Sequence, residues 1–241
     1  MSRSFANITD ITKFMDECKA MGIQVLGPDV NESILKFSVD KNKNIRFGLG
    51  AVKGVGESAV QNIIEERKKN GPYKSIFDFV ERVNLTACNK KNIESMALAG
   101  AFDNVGIQRE QFFADSGKGE LFLDTLVRYG NKYQMDKSTA ANSLFGGDAL
   151  IAIAKPEIPQ CERWSDLERL NKEKELGGIY LSAHPLDEYR IILKYVCKTG
   201  MVELNERETL QGREVLLGGI VTGFREGMTK NGKPYGILKI E

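Results

Sequence analysis

A short stretch of the chain, AVKGVGESA at residues 51 to 59, combines residue types that can hold an anion. Gly54 and Gly56 flank a valine, Lys53 precedes them, and a helix-forming run follows. Glycines permit a tight turn and close approach of the backbone. The first amides of a helix have no intrahelical acceptor and lie at the positive end of its dipole. The stretch therefore predicts either an ordinary turn between helices or a backbone site for phosphate.

The spacing of this stretch favours the phosphate site. An apolar residue precedes Gly-Val-Gly, Ala59 comes three residues after the second glycine, and Ile63 comes four residues later. This pattern resembles the helix-hairpin-helix motif, in which we expect free amides at Val55, Gly56 and Glu57 to meet a phosphate. Such a site ignores the bases, so its DNA binding would be independent of sequence and sensitive to salt.

The local charge supports the same prediction. Residues 41 to 91 contain eleven basic and five acidic side chains, although the whole chain has a formal net charge of only +1. Residues 67 to 69 can be explained as a complement to the C-terminus of a helix. That explanation does not cover Lys53, Lys90 or Lys91, which we expect to contact DNA together with the loop residues 54 to 58, namely Gly54, Val55, Gly56, Glu57 and Ser58.

Composition excludes several other classes of protein. The 241 residues are 41% hydrophobic and 28% charged, which is typical of one large or two to three small soluble domains. The four cysteines lie far apart without a CxxC pair, which argues against a zinc site or a disulfide framework and favours a reducing, cytoplasmic location. No apolar run is long enough to cross a membrane. The single histidine, His184, precedes a proline and is interpreted as a turn or packing residue.

Periodicity predicts a mainly α-helical chain with small β elements. An NG pair at residues 231 and 232 between two strand-like runs indicates a β-hairpin. Capping residues Ser75 and Ser165 are each followed three positions later by an acidic residue. Predicted helices cover 9–22, 57–69, 75–83, 90–100, 109–133 with a break near 117–119, 165–182 and 184–196, and predicted strands cover 23–27 and 34–40.

Six segments, in order, resemble the alpha (catalytic) subunits of bacterial DNA polymerase III over essentially the whole chain. They are ECKAMGIQVLGPDVNES, IRFGLGAVKGVGESAVQNIIEER, GPYKSIFDFVERVNL, LAGAFD, LGGIYLSAHPLDEY and GGIVTGFRE with TKNGKPYGILKIE. The resemblance implies the end of a fingers domain (1–40), a tandem helix-hairpin-helix domain (41–130), a linker with an internal clamp-binding peptide (131–164), a helical connector (165–212) and the start of a truncated OB-fold (213–241). It also implies a second hairpin, with Gly100 as its turn glycine.

The same resemblance implies that the polymerase aspartates and their Mg²⁺ belong upstream of this chain. We therefore expect a non-catalytic fragment with no catalytic residue, metal ligand or cofactor of its own, which cannot synthesise DNA. A monovalent cation held by hairpin carbonyls stays open. The expected partners are duplex primer-template DNA, the sliding clamp and other replisome subunits, with no membrane.

Two further sites come from the resemblance. Clamp-binding peptides of this family have the form Gln-x-Ser/Asp-Leu-Phe, and Ser143, Leu144 and Phe145 match it, with Ala141 in place of glutamine. The alternative is that the Leu-Phe pair folds back onto the hairpin domain. In the OB segment, a basic and aromatic set resembles a surface for single-stranded DNA: Phe224, Arg225, Lys230, Lys233 and Tyr235. We expect this half barrel to be poorly ordered or to pair with a neighbouring copy.

Two other functions use the same motif. A helix-hairpin-helix DNA glycosylase would need a catalytic aspartate downstream of the hairpin, and Asp78 lies at a suitable distance. Its position three residues after Ser75 explains it fully as part of a helix cap. A repair or recombination accessory protein could use the hairpin for DNA without any catalytic residue.

Overall fold

The computed structural model describes residues 8–117, 119–142, 154–180, 182–197, 212 and 214–240. The chain divides into two compact units, Met1–Ser182 and Ala183–Glu241. The described residues form seven α-helices and two small sheets, which confirms the predicted mainly helical class. Within those residues no helix is both long and apolar enough to cross a membrane.

The first unit begins with a helix and a small sheet. Helix α1 spans Ile8–Ala20, and Gly22 follows it with a φ of 71°, a conformation that suits a glycine at the end of a helix. Strands β1 (Val25–Leu26), β2 (Ser38–Val39) and β3 (Ile45–Arg46) form the sheet. β3 lies in the centre, parallel to β1 and antiparallel to β2. β3 was not predicted because, unlike β1 and β2, it directly follows the polar run at 41–44, which is typical of a turn.

Five helices complete the first unit, and the two predicted serine caps are present. The side chain of Ser75 accepts from Asp78 N at 3.1 Å, and that of Ser165 accepts from Glu168 N at 3.2 Å. Residues 109–113 form a 3-10 turn rather than the start of the predicted helix, and a glycine-containing loop follows. The helices are α2 (Glu57–Asn70), α3 (Ile76–Arg82), α4 (Lys90–Leu98), α5 (Phe122–Asn142) and α6 (Asp166–Gly177).

A phenylalanine-rich core holds these helices together. Phe79 and Phe102 meet edge to face with centroids 5.0 Å apart, and Phe102 also packs against Phe112. Helix α2 contributes an apolar stripe of Ala59, Val60, Ile63 and Ile64, all buried. Burying a large apolar side chain contributes roughly 1.5–3 kcal/mol. The core therefore gives the loop before α2 a rigid base.

Part of the predicted linker at 131–164 is ordered differently from the prediction. Helix α5 continues to Asn142, so the first third of that segment is helical. The polar residues there show no apolar period, because this end of α5 is largely exposed. Near its start, Tyr133 packs against the core and Gln134 donates to the carbonyls of Val80 and Val83 at 2.8 Å. Propagating an existing helix is easier than nucleating one, so the extension needs no apolar stripe.

Residues 154–164 are irregular, as expected, but they pack on the first unit. The Trp164 ring stacks on Phe113 with centroids 5.5 Å apart, and Gln111 Nε2 donates to the Pro159 carbonyl at 3.0 Å. We call this segment the strap. It leads into α6, which belongs to the first unit, so the predicted connector at 165–212 is divided between the two units.

The second unit contains a short helix and a hairpin. Residues Asp187–Tyr189 form a 3-10 turn that leads into α7 (Arg190–Tyr195). His184 takes part in this turn, where its Nδ1 accepts from Leu186 N at 3.2 Å. Strands β4 (Val221–Met228) and β5 (Pro234–Ile240) pair antiparallel around Gly232, whose φ is 72°. The hairpin predicted from the NG pair is confirmed, and its assignment to an OB-fold stays a prediction.

Candidate nucleic-acid interface

The Gly-Val-Gly loop at residues 52–56 is a tight turn anchored by its apolar residues. Val55 N donates to the Val52 carbonyl at 3.1 Å, and Gly54 occupies the third position of this turn with a φ of 87°. That position has a positive φ in type II turns, which favours glycine. Val52 and Val55 are buried, whereas Lys53, Gly54 and Gly56 are exposed. The loop therefore turns its polar backbone and its lysine outward.

The two glycines of the loop differ in what requires them. A Cβ on Gly54 would lie 2.7 Å from Ser95 Oγ, in addition to the cost of its positive φ. Gly56 has an ordinary φ of −77°, and a Cβ there would meet nothing closer than Asn92 Oδ1 at 3.9 Å. The fold thus requires glycine at position 54 but not at position 56, where the missing side chain leaves the backbone open to approach.

The free amides lie two residues further along the chain than the sequence predicted. Val55 N is bonded within the turn, and Gly56 N donates to Asn92 Oδ1 at 2.9 Å, so neither of these two expected amides is free. Within the described part of the chain, no group accepts from the amides of Glu57, Ser58 and Ala59. Gly56 caps α2 without a side chain, so these three amides open the helix at the positive end of its dipole.

The first turn of α4 lies against this loop. Asn89 caps α4 by accepting from Asn92 N at 3.2 Å, and the bond from Gly56 N to Asn92 Oδ1 joins the starts of α2 and α4. Lys90 Nζ pairs with Asp124 Oδ1 at 2.6 Å, whereas Lys91 is exposed and has no ion pair with any described residue. Two lysines at a helix N-terminus oppose its dipole. A nearby anion would relieve that opposition.

Gly100 has a structural role in this fold. Its φ is 83°, as a turn glycine requires, but the residue is buried and the Arg109 guanidinium covers the side where a Cβ would stand. Arg109 Nη1 also donates to Glu173 at 2.6 Å, and its Nη2 donates to Asp103 at 2.7 Å. Burial alone would lower the pKa of Arg109, but these two carboxylates raise it above its ordinary value. At the predicted second hairpin, Arg109 therefore covers Gly100, so this glycine is not open to a phosphate.

Several residues of the basic segment serve the fold. Arg67 Nη1 donates to the Val30 carbonyl at 2.7 Å, and Arg46 pairs with Glu32. Arg82 bonds Glu66 Oε1 at 3.1 Å and Asp78 Oδ2 at 2.9 Å. The excess of basic charge in residues 41 to 91 therefore belongs largely to exposed lysines. Two of them, Lys53 and Lys91, lie at the loop.

Asp78, the candidate catalytic residue of the glycosylase alternative, is occupied as a helix cap. Its Oδ2 accepts from Lys74 N at 2.9 Å as well as from Arg82. The described residues contain no group of three or more His, Cys, Asp or Glu side chains that could hold a metal ion.

The other predicted site residues lie elsewhere. Ser143, Leu144 and Phe145 fall outside the described residues. In the second unit, Lys230 and Lys233 lie in or beside the hairpin turn. Phe224 pairs with Leu238 and covers Gly236, whereas Tyr235 pairs with Gly227 and covers it on the opposite face. Arg225 shares the face of Tyr235, so the structure does not bring all the aromatic residues of the set together.

Sequence reasoning missed three groups that position the loop. Asn92 and Ser95 each contact one of its glycines, and the Leu176 carbonyl of α6 accepts from Lys53 N at 2.9 Å. Asn92 and Ser95 carry a detectable signal, because they are polar residues three apart beside the apolar stripe of α4. The Leu176 contact carries none, because a backbone carbonyl leaves no mark on the sequence.

The comparisons with known proteins agree with this geometry. A family model for the helix-hairpin-helix motif matches residues 22–112, which contain the loop, α2 and α4. Residues 22–112 therefore carry a helix-hairpin-helix motif.

Its relatives define the family further. The chain is 34% identical over its whole length to DNA polymerase III subunit alpha of Vibrio cholerae, of which it covers 20%. It is 34% and 35% identical, over 97% of its length, to the proteins of that name from Campylobacter jejuni and Treponema pallidum, covering 19% of each. The chain is therefore homologous along its length to DNA polymerase III alpha subunits, and it spans about a fifth of the length of these relatives.

Proposed function

We propose that this chain binds duplex DNA through its phosphates, without reading the bases, by means of the 52–56 loop and the first turn of α2. One observation carries the proposal. The 14-residue helix α2 begins at a glycine cap without a side-chain bond, and three amides with no acceptor among the described residues lie beside exposed Lys53. Backbone amides and a helix dipole recognise phosphate oxygens, which are the same at every base pair.

The resulting interaction would be shallow and electrostatic. Lys53 and Lys91 add positive charge, whereas exposed Glu57 in the first turn of α2 subtracts some of it. Each neutralised phosphate releases counterions. The logarithm of the association constant therefore falls with the logarithm of the salt concentration, with a slope of about −0.9 per neutralised phosphate. We propose that a longer polymerase subunit uses this grip to hold primer-template DNA during template-directed synthesis, in the cytoplasm and within a replisome.

The test is binding of a fluorescent duplex over a range of salt concentrations. Lys53→Glu should weaken binding about tenfold and reduce the salt slope by about 1, because it replaces a cation at the loop with an anion. Lys69→Glu makes the same charge change at the far end of α2 and serves as the matched control. Equal losses in the two variants, or binding that ignores salt, would refute the proposal.

We also propose that Leu144 and Phe145 dock a sliding clamp. Two large apolar side chains next to one another can fill pockets on a partner. Changing both to alanine should abolish binding to an immobilised clamp while leaving duplex binding unchanged. Unchanged clamp affinity would reject this assignment.

For the hairpin of the second unit, we propose that single-stranded DNA stacks on the face with Tyr235 and Arg225. Both lie on one face of the β4–β5 ribbon, and Tyr235 is 41% exposed. Tyr235→Ala should weaken binding of an oligothymidine, since stacking contributes about 1–3 kcal/mol per base. Phe224→Ala, on the opposite face, is the control. A larger loss in that control would assign the binding to the other face.

A further inference from the structure

Asn92 is a buried side chain whose two polar ends are both used. It is 6% exposed, its Oδ1 accepts from Gly56 N at 2.9 Å, and its Nδ2 donates to Asn89 Oδ1 at 2.9 Å. Exchanging the two ends would set a donor against the Gly56 amide and an acceptor against Asn89 Oδ1. The orientation of the amide is therefore fixed by its neighbours, and so is its bond to the loop.

The bond from Asn92 reaches the residue that starts α2. Gly56 is the cap of α2 and has no side chain to hold its own helix start, so a residue 36 positions later does this. Ser95, one turn further along α4, lies against the position where Gly54 would carry a Cβ. Helix α4 thus meets both glycines of the loop from the same face.

We propose that Asn92 is a positioning residue for phosphate binding. By occupying the Gly56 amide, it fixes the direction in which α2 begins and leaves the amides of Glu57, Ser58 and Ala59 as the set that meets a phosphate. It would not touch DNA itself. This inference rests on the proposed function of the loop.

The test compares Asn92→Ala and Asn92→Leu with Asn62→Ala in the full chain. Asn62 is a matched control, because its Oδ1 accepts from Asn84 N at 2.8 Å across 22 residues, away from the loop. The leucine variant keeps the branched shape of asparagine at a somewhat larger volume and without its polar atoms, so a loss shared with the alanine variant does not come from a cavity. Duplex affinity is measured by anisotropy over a range of salt, and exchange of the Gly56 amide is measured by NMR.

Both Asn92 variants should raise the Kd for duplex DNA about three- to tenfold, the equivalent of one hydrogen bond. The salt slope should stay unchanged, because no lysine is altered, and the Gly56 amide should exchange faster while core amides keep their protection. Asn62→Ala should bind as the unsubstituted chain does. An Asn92→Leu chain with a freely exchanging Gly56 amide and unchanged affinity would overturn the inference alone. Absence of salt-dependent binding by the unsubstituted chain would refute the proposed function, and this inference with it.

Discussion

Gly54 holds a positive φ against Ser95, whereas Gly56 keeps an ordinary φ beside open space. The turn itself requires glycine at position 54. At position 56 the fold accepts a side chain, and glycine there keeps the backbone open to a ligand. The spacing in the sequence predicted the loop and both glycines, but it could not separate these roles. That separation depends on φ and on Ser95, which is 41 positions away from Gly54.

Substitution of the two glycines should therefore affect different properties, namely stability at position 54 and duplex binding at position 56. Gly54→Ala should lower the free energy of unfolding by roughly 1–2 kcal/mol, because alanine is strained at positive φ. Gly56→Ala should cost less than about 1 kcal/mol, yet weaken duplex binding, because its methyl group stands where a phosphate must approach. Urea unfolding and anisotropy measure the two quantities. The same pattern of losses in both variants would contradict this distinction.

Cys88 provides a test of the core by pH. Burial raises the pKa of its thiol from 9.0 to about 12. Because the folded state holds this proton more tightly than the unfolded state, the contribution is complete below about pH 9 and is lost as the pH rises toward about 12. The free energy of unfolding should fall over this range by up to about 1.4 kcal/mol per pH unit more steeply than in Cys88→Ala. Identical slopes in urea titrations would contradict the prediction.

At the scale of elements, α6 is bound into the first unit by a buried carboxylate. Glu173 is fully buried and accepts from Arg109 Nη1 and from Ser182 Oγ, while the Leu176 carbonyl one turn later holds the Lys53 amide. The cap of α6 was predictable from Ser165 and Glu168. Its place beside the loop was not, because it depends on a pair 64 residues apart that the sequence shows only as two charges.

Glu173→Ala should lower the free energy of unfolding by about 3 kcal/mol, since it leaves part of a buried guanidinium without its partner. Trp164 is the single tryptophan of the chain and packs between Phe113 and Lys172, so its fluorescence reports on the strap and α6. Its emission should shift to the red in this variant. Glu175→Ala, at an exposed position of the same helix, should change neither quantity.

At the scale of the whole molecule, the two units differ in how much they bury. The first unit holds the phenylalanine core, the loop and α6. In the second unit the side chains of β5 are all exposed and those of β4 nearly so. A two-stranded hairpin alone is marginally stable in water. The NG pair predicted this hairpin, whereas no pattern in the sequence predicts a surface that would cover its strands.

The segment that ends at Ser182 should therefore fold alone. It should unfold cooperatively in urea and bind duplex DNA with the affinity and salt slope of the full chain, because the contacts of the loop with Asn92, Ser95 and Leu176 all lie within it. Residues 183–241 alone should show no stable hairpin by NMR. Loss of duplex binding on removal of residues 183–241 would assign part of the DNA-binding surface to the second unit.

The strap also changes how residues 143–145 would hold a partner. Helix α5 is bonded to α3 through Gln134 on one side of that stretch, and the strap is packed through Pro159 and Trp164 on the other. The chain on both sides of that stretch is therefore anchored to the first unit. A ring-shaped partner gripped there would be tethered at high effective concentration beside the duplex, so each contact would strengthen the other without any surface shared between them.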